Sequence, residues 1–319
     1  VLDLTSGSRA ITGGLDGRLF VNEDINDIAS RWQMIETNTT GRFRDLQLLN
    51  DDQGYAIMDN MLYQTFDGGA TWDLSQNLSG MNYKHLSESP SSDLMLATGT
   101  SGQIEIHVAS NLQTNPAIAV NSNFTPNSNV TVSAGWMDQT GTTGTDYLIV
   151  VALQNRRLAY TANGQDQYPN WTQINLVTEL PVGQRFVDLK LRKSTITGDD
   201  FSGIGRTNNG NTYHIEKIGT GFTITNLSIN SSSLAYEPNN AKAYTTGITN
   251  TAQITEISML DGSSTALGNS KKGFQSVAYG TTLVSVGGKL THNDLSTGSV
   301  TDHTKQSNPV ELSSIEFHV

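Results

Sequence analysis

Cysteine is absent from this chain of 319 residues. Its absence excludes a disulfide framework, a thiolate metal site and a cysteine nucleophile. Aromatic residues make up only 7% of the sequence, which is few for a lectin with several sugar sites. The sequence also has no apolar run long enough for a membrane-spanning helix, so we expect no membrane insertion. A chain without cysteine is compatible with an extracellular or virion protein, and we expect one of these locations.

Basic residues are outnumbered by acidic ones. Lys and Arg together number 19 against 30 Asp and Glu, which gives a net charge of −11. An acidic chain of this kind is a poor partner for nucleic acid or an anionic membrane. The acidic residues are scattered, which is typical of a solubilising surface. We expect no cofactor and a partner that is another protein or an assembly subunit, with a glycan as the alternative.

Helical periodicity is nearly missing as well. Runs of five to eight residues alternate apolar and polar side chains and end in Gly, Asn, Asp or Ser. This pattern is typical of short antiparallel strands. The clearest group of four lies at 42–49, 54–58, 61–65 and 71–74, and six further groups are similar to it. Dividing 319 residues by seven gives roughly 46 residues, the length of a four-stranded unit.

The most specific motif is the octapeptide Thr65-Phe66-Asp67-Gly68-Gly69-Ala70-Thr71-Trp72. Asp67 is placed to accept hydrogen bonds from backbone N–H groups of its own turn, and Gly68 and Gly69 permit positive φ angles. The pattern Ser/Thr-x-Asp-x-Gly-x-Thr-Trp resembles the Asp-box, or BNR repeat, of sialidase-like and photosystem-assembly propellers. The resemblance implies a hairpin turn on the rim of a β-propeller blade. It assigns structural roles to Thr65, Asp67, Gly69 and Trp72.

We therefore predict an all-β chain, a seven-bladed β-propeller of four-stranded antiparallel blades that forms a single domain over 1–319. The first blade lacks an innermost strand, so we expect the C-terminal strand at 313–319 to pair beside Ala10 to Gly14 and close the ring. The predicted blades cover 313–319 with 9–36, 42–76, 82–120, 129–176, 184–227, 231–268 and 273–304. Another blade number, two β-sandwiches or a β-helix are the alternatives.

Two further tryptophans match the position of Trp72 at the start of a fourth strand. They are Trp32 and Trp171, and we predict that both pack within blades. Upstream of Trp171, the segment Thr161-Ala162-Asn163-Gly164 resembles a decayed Asp-box, with Asn in place of Asp and a longer spacing to the tryptophan.

Sialidases are the best-known enzymes with this motif. The resemblance implies three arginines that grip a substrate carboxylate, a Tyr/Glu nucleophile pair and an Asp acid. An Arg-Ile-Pro segment near the N-terminus is absent from the sequence, and no arginine follows Arg206. Lysine does not replace a bidentate guanidinium. We therefore predict no catalytic residues of this type and a protein that is not an enzyme.

Two carboxylates and two aromatic residues are candidate ligand contacts. Asp45 and Asp188 fall at matching points of predicted innermost strands, where they would face a central channel. They would serve either as a glycosidase pair or, as we prefer, as lining of a solvated channel. Trp136 and Tyr168 lie outside the fourth-strand tryptophan pattern and are candidates for stacking on sugars.

A metal site is not predicted. The six histidines include no His-x-His or His-x-x-x-His pair. The acidic pairs Asp51-Asp52 and Asp199-Asp200 match no recognised calcium loop, so we interpret them as exposed turn residues.

The leading hypothesis is a non-catalytic interaction propeller, which binds protein or forms a structural part of an extracellular or virion assembly. A glycan-binding, lectin-like propeller is the first alternative. A glycoside hydrolase or lyase with channel carboxylates is the second.

Overall fold

Strands make up most of the structure. The structure is a computed structural model, and it describes residues 2–4, 9–13, 17–24, 27, 30, 32–74, 82–89, 94–108, 118–119, 131–140, 146–164, 169–194, 198–237, 241–247, 253–269, 274–279, 283–287, 290–294 and 299–302. Within these ranges it contains 27 strands and one short 3₁₀ helix, Thr100–Gly102, and no α-helix. The predicted all-β class is confirmed.

The strands follow one another along the chain sheet by sheet. The first two sheets contain β1 Leu2–Leu4, β2 Ala10–Gly13, β3 Arg18–Asn22, β4 Gln33–Glu36, and β5 Phe43–Leu48, β6 Gly54–Met58, β7 Met61–Thr65, β8 Asp73–Leu74. The next two contain β9 Tyr83–Glu88, β10 Leu94–Gly99, β11 Ile104–Val108, β12 Ile118–Ala119, and β13 Val132–Thr140, β14 Asp146–Leu153, β15 Arg157–Thr161, β16 Thr172–Asn175. The last two contain β17 Phe186–Lys193, β18 Phe201–Thr207, β19 Asn211–Ile218, β20 Gly221–Glu237, β21 Lys242–Gly247, β22 Gln253–Ser258, β23 Ser264–Asn269, and β24 Phe274–Tyr279, β25 Leu283–Gly287, β26 Leu290–Asp294, β27 Ser299–Asp302.

All the sheets are antiparallel meanders, because hydrogen-bonded neighbours are also neighbours in the chain. In the described part of the chain, five sheets have four strands and one has seven. In the seven-stranded sheet, the 17-residue strand β20 is shared by the strands that precede it and the strands that follow it. It lies beside β19 in the sheet, and its segment from Ser231 to Glu237 pairs with β21.

The chain divides into two compact units. Unit 1 comprises Val1–Ser75, Ile229–Ser258 and Ser263–Val319, and unit 2 comprises Gln76–Ser228 and Met259–Gly262. Within unit 1, β24 lies beside both β21 and β1, and β1 lies beside β5. Within unit 2, β13 lies beside both β9 and β17.

Among the described strands, a β-bulge recurs in six strand pairs, near the start of the segment that pairs with the following strand. In the second sheet, Phe43 pairs with Met58 and Asp45 with Ile57, so Arg44 is the extra residue. The bulge places Phe43 and Leu46, three residues apart, on the same buried face. The extra residues of the other five groups are Lys84, Ser133, Val187, Ser232 and Gln275.

The apolar cores lie between successive sheets. In unit 1, Ile11 and Leu19 of the first sheet pack with Phe43, Ala56 and Trp72 of the second. In unit 2, a second core joins the β9–β12 sheet to the β13–β16 sheet, and a third joins the β13–β16 sheet to strands β17–β19. Each sheet of these pairs therefore buries side chains against its chain neighbour.

The predicted position of the C-terminal strand is corrected. Strand β1 pairs with β2 through Leu2 with Thr12 and Leu4 with Ala10, while β3 occupies the other edge of β2. Both edges of β2 are therefore taken, and β1 occupies the place expected for the C-terminal strand. The reason is that Leu2-Asp3-Leu4, a short alternating run, already supplies the innermost strand. Residues 313–319 themselves lie outside the described ranges, and the single domain over 1–319 stays a prediction.

Candidate functional site

The turn from Thr65 to Trp72 joins β7 to β8 and is closed by side-chain hydrogen bonds. The Thr65 hydroxyl donates to Asp67 Oδ1 at 2.9 Å and accepts from the N–H of Gly69 at 2.8 Å. Asp67 Oδ1 also accepts from the N–H of Thr71 at 2.8 Å, and Asp67 Oδ2 accepts from the Thr71 hydroxyl at 2.6 Å. One carboxylate thus holds both ends of the turn.

These bonds set the ionisation of Asp67. Partial burial by itself would raise the pKa of this carboxyl, but hydrogen bonds from Thr71, Thr65 and Ala70 together lower it below the ordinary value. Hydrogen bonds to the charged form favour that form. Asp67 is therefore a charged acceptor at neutral pH.

The two glycines of the turn are required by its backbone. Gly68 has φ +69° and Gly69 has φ +94°, a region that other residues rarely adopt. The N–H of Gly68 donates to the carbonyl of Asp52 at 2.8 Å. A Cβ on Gly69 would lie 3.0 Å from Leu19 Cδ1 and 3.1 Å from Ile11 Cδ1. The turn is therefore pressed against the first sheet.

Arg9 ties the first sheet to this turn and was missed from the sequence. Its guanidinium donates to the carbonyl of Asp51 at 2.6 Å, to the carbonyl of Gly68 at 3.0 Å and to Glu23 Oε2 at 3.0 Å. Arg9 lies 59 residues from Gly68 in sequence, so no local pattern indicates the contact. The backbone carbonyls of Asp51 and Asp52 thus accept hydrogen bonds from Arg9 and Gly68, respectively.

The side chain of Trp72 packs against the turn and is hydrogen-bonded to it. Its indole N–H donates to the carbonyl of Gly69 at 2.9 Å, and its ring meets Phe43 edge to face, with centroids 5.6 Å apart. The side chain is buried. Trp32 is buried just before β4, and Trp171 precedes β16 and packs, partly buried, against the core of the β9–β12 and β13–β16 sheets.

The Thr161 turn reproduces part of this arrangement in unit 2. The N–H of Asn163 donates to Thr161 Oγ1 at 3.2 Å, as the N–H of Asp67 does to Thr65 Oγ1 at 3.4 Å. The N–H of Gly164 donates to the carbonyl of Tyr147 at 2.9 Å. Residues 165–168 lie outside the described ranges, so the second half of this turn is not compared.

Asp45 and Asp188 occupy matching positions after the bulge of their strands but have different neighbours. Asp45 accepts from the N–H of Leu46 at 3.0 Å. Asp188 lies 3.7 Å from Lys190 Nζ and opposite Arg206 in the β17–β18 pairing. Asp45 belongs to unit 1 and Asp188 to unit 2.

The structure corrects the prediction that Trp136 is a ligand contact. Its side chain is 2% exposed and lies in the core formed by the β13–β16 sheet and strands β17–β19. A ring buried to this degree has no face free to stack on a sugar. Both faces of the β13–β16 sheet are covered, since Trp136 lies in one core and the next residue, Met137, lies in the other. Tyr168 lies outside the described residues.

The described residues contain two hydrogen-bonded tyrosine–glutamate pairs, and both are buried. Tyr83 donates to Glu105 Oε2 at 2.6 Å, and His107 Nε2 lies 3.2 Å from the same oxygen. Burial and then the bond to Glu105 raise the pKa of Tyr83. Tyr244 similarly donates to Glu237 at 2.6 Å. All five side chains are less than a tenth exposed, so neither pair is open to a substrate.

The pair Asp199-Asp200 binds a lysine. Lys217 Nζ donates to Asp199 Oδ1 at 2.6 Å, to Asp200 Oδ1 at 3.3 Å and to the carbonyl of Gly219 at 2.9 Å. The ammonium also lies 5.1 Å from the ring centroid of Tyr160. These acids are therefore partners of a buried cation. Across the described residues, no cluster of three or more His, Asp or Glu could hold a metal ion.

The loop from Leu176 to Gln184 presents apolar side chains to solvent from a fixed backbone. Leu176 and Leu180 are buried in the adjacent core, whereas Val177 is 45% and Val182 is 88% exposed. Arg156 donates to the carbonyls of Val177 and Leu180 at 3.3 and 3.1 Å.

A second set of bonds holds the other end of this loop. Asn208 Nδ2 donates to the carbonyl of Gly183 at 3.3 Å, and Asn211 Nδ2 donates to Gln184 Oε1 at 3.2 Å. The sequence does not reveal the loop, because its anchors come from two separate hairpins, β14–β15 and β18–β19.

Comparisons with known proteins identify the fold. No family model matches the chain, and no curated protein matches it in sequence. Among solved structures, the chain is similar to Sqt1 of Saccharomyces cerevisiae at 12% identity, with a TM-score of 0.62 over 94% of this chain and 83% of that one. The chain therefore has the fold of a β-propeller. Proteins with this fold have many different functions, so the fold alone does not indicate what this protein does. In the part of the chain that the structure describes, no helix is long and apolar enough to cross a membrane.

Proposed function

We propose that this protein is a non-catalytic interaction propeller that binds another protein through the Leu176–Gln184 loop. The observation that carries the proposal is the exposure of Val177 and Val182 on a backbone tied down at both ends. Contiguous exposed apolar surface marks sites that bind other proteins, and Val177 and Val182 lie on the same short loop. Because the loop is already ordered, little conformational entropy is lost on binding.

The same proposal includes seven blades. Strand β20 lies beside β19 and β21, so it acts as the fourth strand of one blade and the first of the next. Counting it twice turns the six sheets into seven four-stranded groups. The last group lies beside the first, since β24 is adjacent to β1, which supports a closed ring.

Kinship with Asp-box propellers is supported by the Thr65–Trp72 turn. Its Thr, Asp, Gly and Trp all make the contacts that the motif implies, and the Thr161 turn keeps part of them. A role in an extracellular or virion assembly is supported by the composition, which is acidic and free of cysteine.

The test is the retention of partners by the tagged protein from its native source, followed by measurement of the affinity of the purified partner. We expect Val182→Asp to weaken binding by about tenfold or more, because a charge would be buried at the contact. Ile218→Asp is the matched control, since Ile218 is another exposed apolar residue of unit 2, at 57%. It is expected to bind as the parent does.

Two results would contradict the proposal. One is a parent protein that retains no partner from its native source. The other is a partner that binds the Val182 variant and the parent equally well. Both variants should melt at the temperature of the parent, because neither side chain contributes to a core.

A further inference from the structure

Arg206 is a buried cation with incomplete pairing. Arg206 lies on β18 and is 3% exposed. In the pairing of β17 with β18, it lies opposite Asp188. Within the described part of the chain, its Nε and Nη1 atoms have no hydrogen-bond partner. Asp188 Oδ1 likewise has no hydrogen-bond partner there, and the nearby Lys190 Nζ is 3.7 Å away.

Charge is unbalanced at this point. Two cations, Arg206 and Lys190, share the single carboxylate of Asp188. Burial lowers the pKa of Arg206, and the charge of Asp188 only partly offsets that effect. A buried charge is costly unless it is paired and hydrogen-bonded. One positive charge therefore lacks a counter-charge in this cluster, within a protein whose net charge is −11.

The fold does not require an arginine here. In each of the six strand pairs with this bulge, the residue that follows the extra residue lies opposite one residue of the next strand. In the β17–β18 pair, the residue after the bulge is Asp188 and the residue opposite it is Arg206. The corresponding residues of the other groups are Ile57, Thr98, Ala152, Thr246 and Val286. All five are uncharged. Residues that break a local rule are expected at functional sites.

We propose that Arg206, with Lys190 at its edge, is a binding site for a carboxylate. Guanidinium N–H groups pair best with carboxylate or phosphate oxygens. Asp188 disfavours a doubly charged phosphate beside it, so a singly charged carboxylate is the better match. The side chains of Asp188 and Lys190 are 13% and 27% exposed, so the edge of this cluster reaches solvent. The carboxylate is either a free small anion or an acidic side chain of another protein, and this site is independent of the Leu176–Gln184 loop.

The experiment follows the Arg206 Nε–H signal by NMR in the full-length protein. The signal is assigned by its loss in Arg206→Lys. Acetate is titrated at constant ionic strength against sodium chloride, and in a second arm the capped peptide acetyl-Gly-Glu-Gly-amide replaces acetate. We expect a saturable shift in at least one arm, with acetate alone indicating a free anion and tighter binding of the peptide indicating an acidic side chain. A shift with neither probe, or an equal shift with chloride, would overturn the proposal.

Arg206→Ile gives a second, independent readout, because it copies Ile57 of the second sheet. If Arg206 serves a ligand, this variant should melt at or above the temperature of the ligand-free parent and lose the stabilisation by acetate. A lower melting temperature would show that Arg206 is a structural partner of Asp188 and would overturn the proposal. Lys190→Gln should weaken acetate binding several-fold. Lys193→Gln is the control and should leave binding unchanged, because Lys193 lies near a different carboxylate, 3.8 Å from Asp138. Equal effects of these two variants would count against the site.

Discussion

Asn38 holds the backbone of Trp72 with both ends of its side-chain amide. Its Oδ1 accepts from the Trp72 N–H at 2.8 Å, and its Nδ2 donates to the Trp72 carbonyl at 3.1 Å. The amide therefore pairs with Trp72 as a neighbouring strand would. The two residues are 34 positions apart, so this contact fixes the turn relative to the segment that joins β4 to β5.

Replacing Asn38 should destabilise the protein. Asn38→Ala leaves a partly buried N–H and carbonyl without their partner, and we expect a loss of about 1–3 kcal/mol in the free energy of unfolding. Asn38→Asp keeps an acceptor for the Trp72 N–H but sets its second carboxylate oxygen against the Trp72 carbonyl, so it should also destabilise the protein. Urea denaturation of the parent and both variants measures the difference. An Asn38→Ala midpoint equal to that of the parent would contradict the clamp.

Acid should weaken the Thr65–Trp72 turn through Asp67. The folded-state pKa of Asp67 is lowered from 3.8, so the charged form stabilises the fold above the unfolded pKa. That contribution is lost as the pH falls through the folded-state pKa. Asp67→Asn should cost about 1 kcal/mol at pH 7, since the site is exposed and solvent screens the charge. The gap between parent and variant should shrink below about pH 4, and a gap constant from pH 7 to pH 3 would be evidence against this role.

Local sequence patterns predicted the strands and the Thr65–Trp72 turn well. The alternation in 42–49 and 54–58 and the glycines at 68 and 69 act through neighbours within a few residues, so one short segment contains the whole signal. The contacts of Arg9 and Asn38 with this turn were not predictable, because they depend on packing between sheets. The bulges were missed for a similar reason, since a bulge is defined by the register of a partner strand.

The candidate ligand contacts were harder still. Trp136 looked exposed because it breaks the tryptophan pattern, but it is buried because neighbouring sheets cover both faces of its own sheet. Asp45 and Asp188 occupy equivalent strand positions in the sequence. They differ in the residue opposite, which is Ile57 for one and Arg206 for the other, and Asp188 also has Lys190 of its own strand nearby. Pairing between distant parts of the sequence therefore decides which of two matching aspartates lies beside a cation and can take part in a binding site.

Alanine in place of Gly69 tests how tightly the turn meets the first sheet. The substitution forces a positive φ on alanine, which costs about 1–2 kcal/mol, and it crowds Leu19 and Ile11. Gly183→Ala is the matched control, because Gly183 has φ +83° with nothing within 4 Å of an added Cβ. We expect Gly69→Ala to lower the melting temperature more than Gly183→Ala does. Equal shifts would mean that backbone strain alone accounts for the loss.

Lys217 should stabilise unit 2 in a way that depends on pH. Burial by itself would lower the pKa of its ammonium, but the hydrogen bonds and charges of Asp199 and Asp200 raise it above 10.5. Its contribution is therefore complete below the unfolded pKa and is lost as the pH rises through the folded-state pKa. Lys217→Met should cost about 1–3 kcal/mol at pH 7, because it leaves two carboxylates beside each other without their cation.

The more exposed pair Lys242–Glu256, 3.1 Å apart, provides the control. Its lysine side chain is 39% exposed, so Lys242→Met should cost at most about 1 kcal/mol. Urea denaturation at pH 7 and at about pH 11.5, above the ordinary lysine pKa, compares both variants with the parent. The cost of Lys217→Met should be smaller at the higher pH. If Lys217→Met and Lys242→Met lose the same free energy, burial adds nothing to the Lys217 cluster, and the interpretation of Asp199 and Asp200 as its structural partners is wrong.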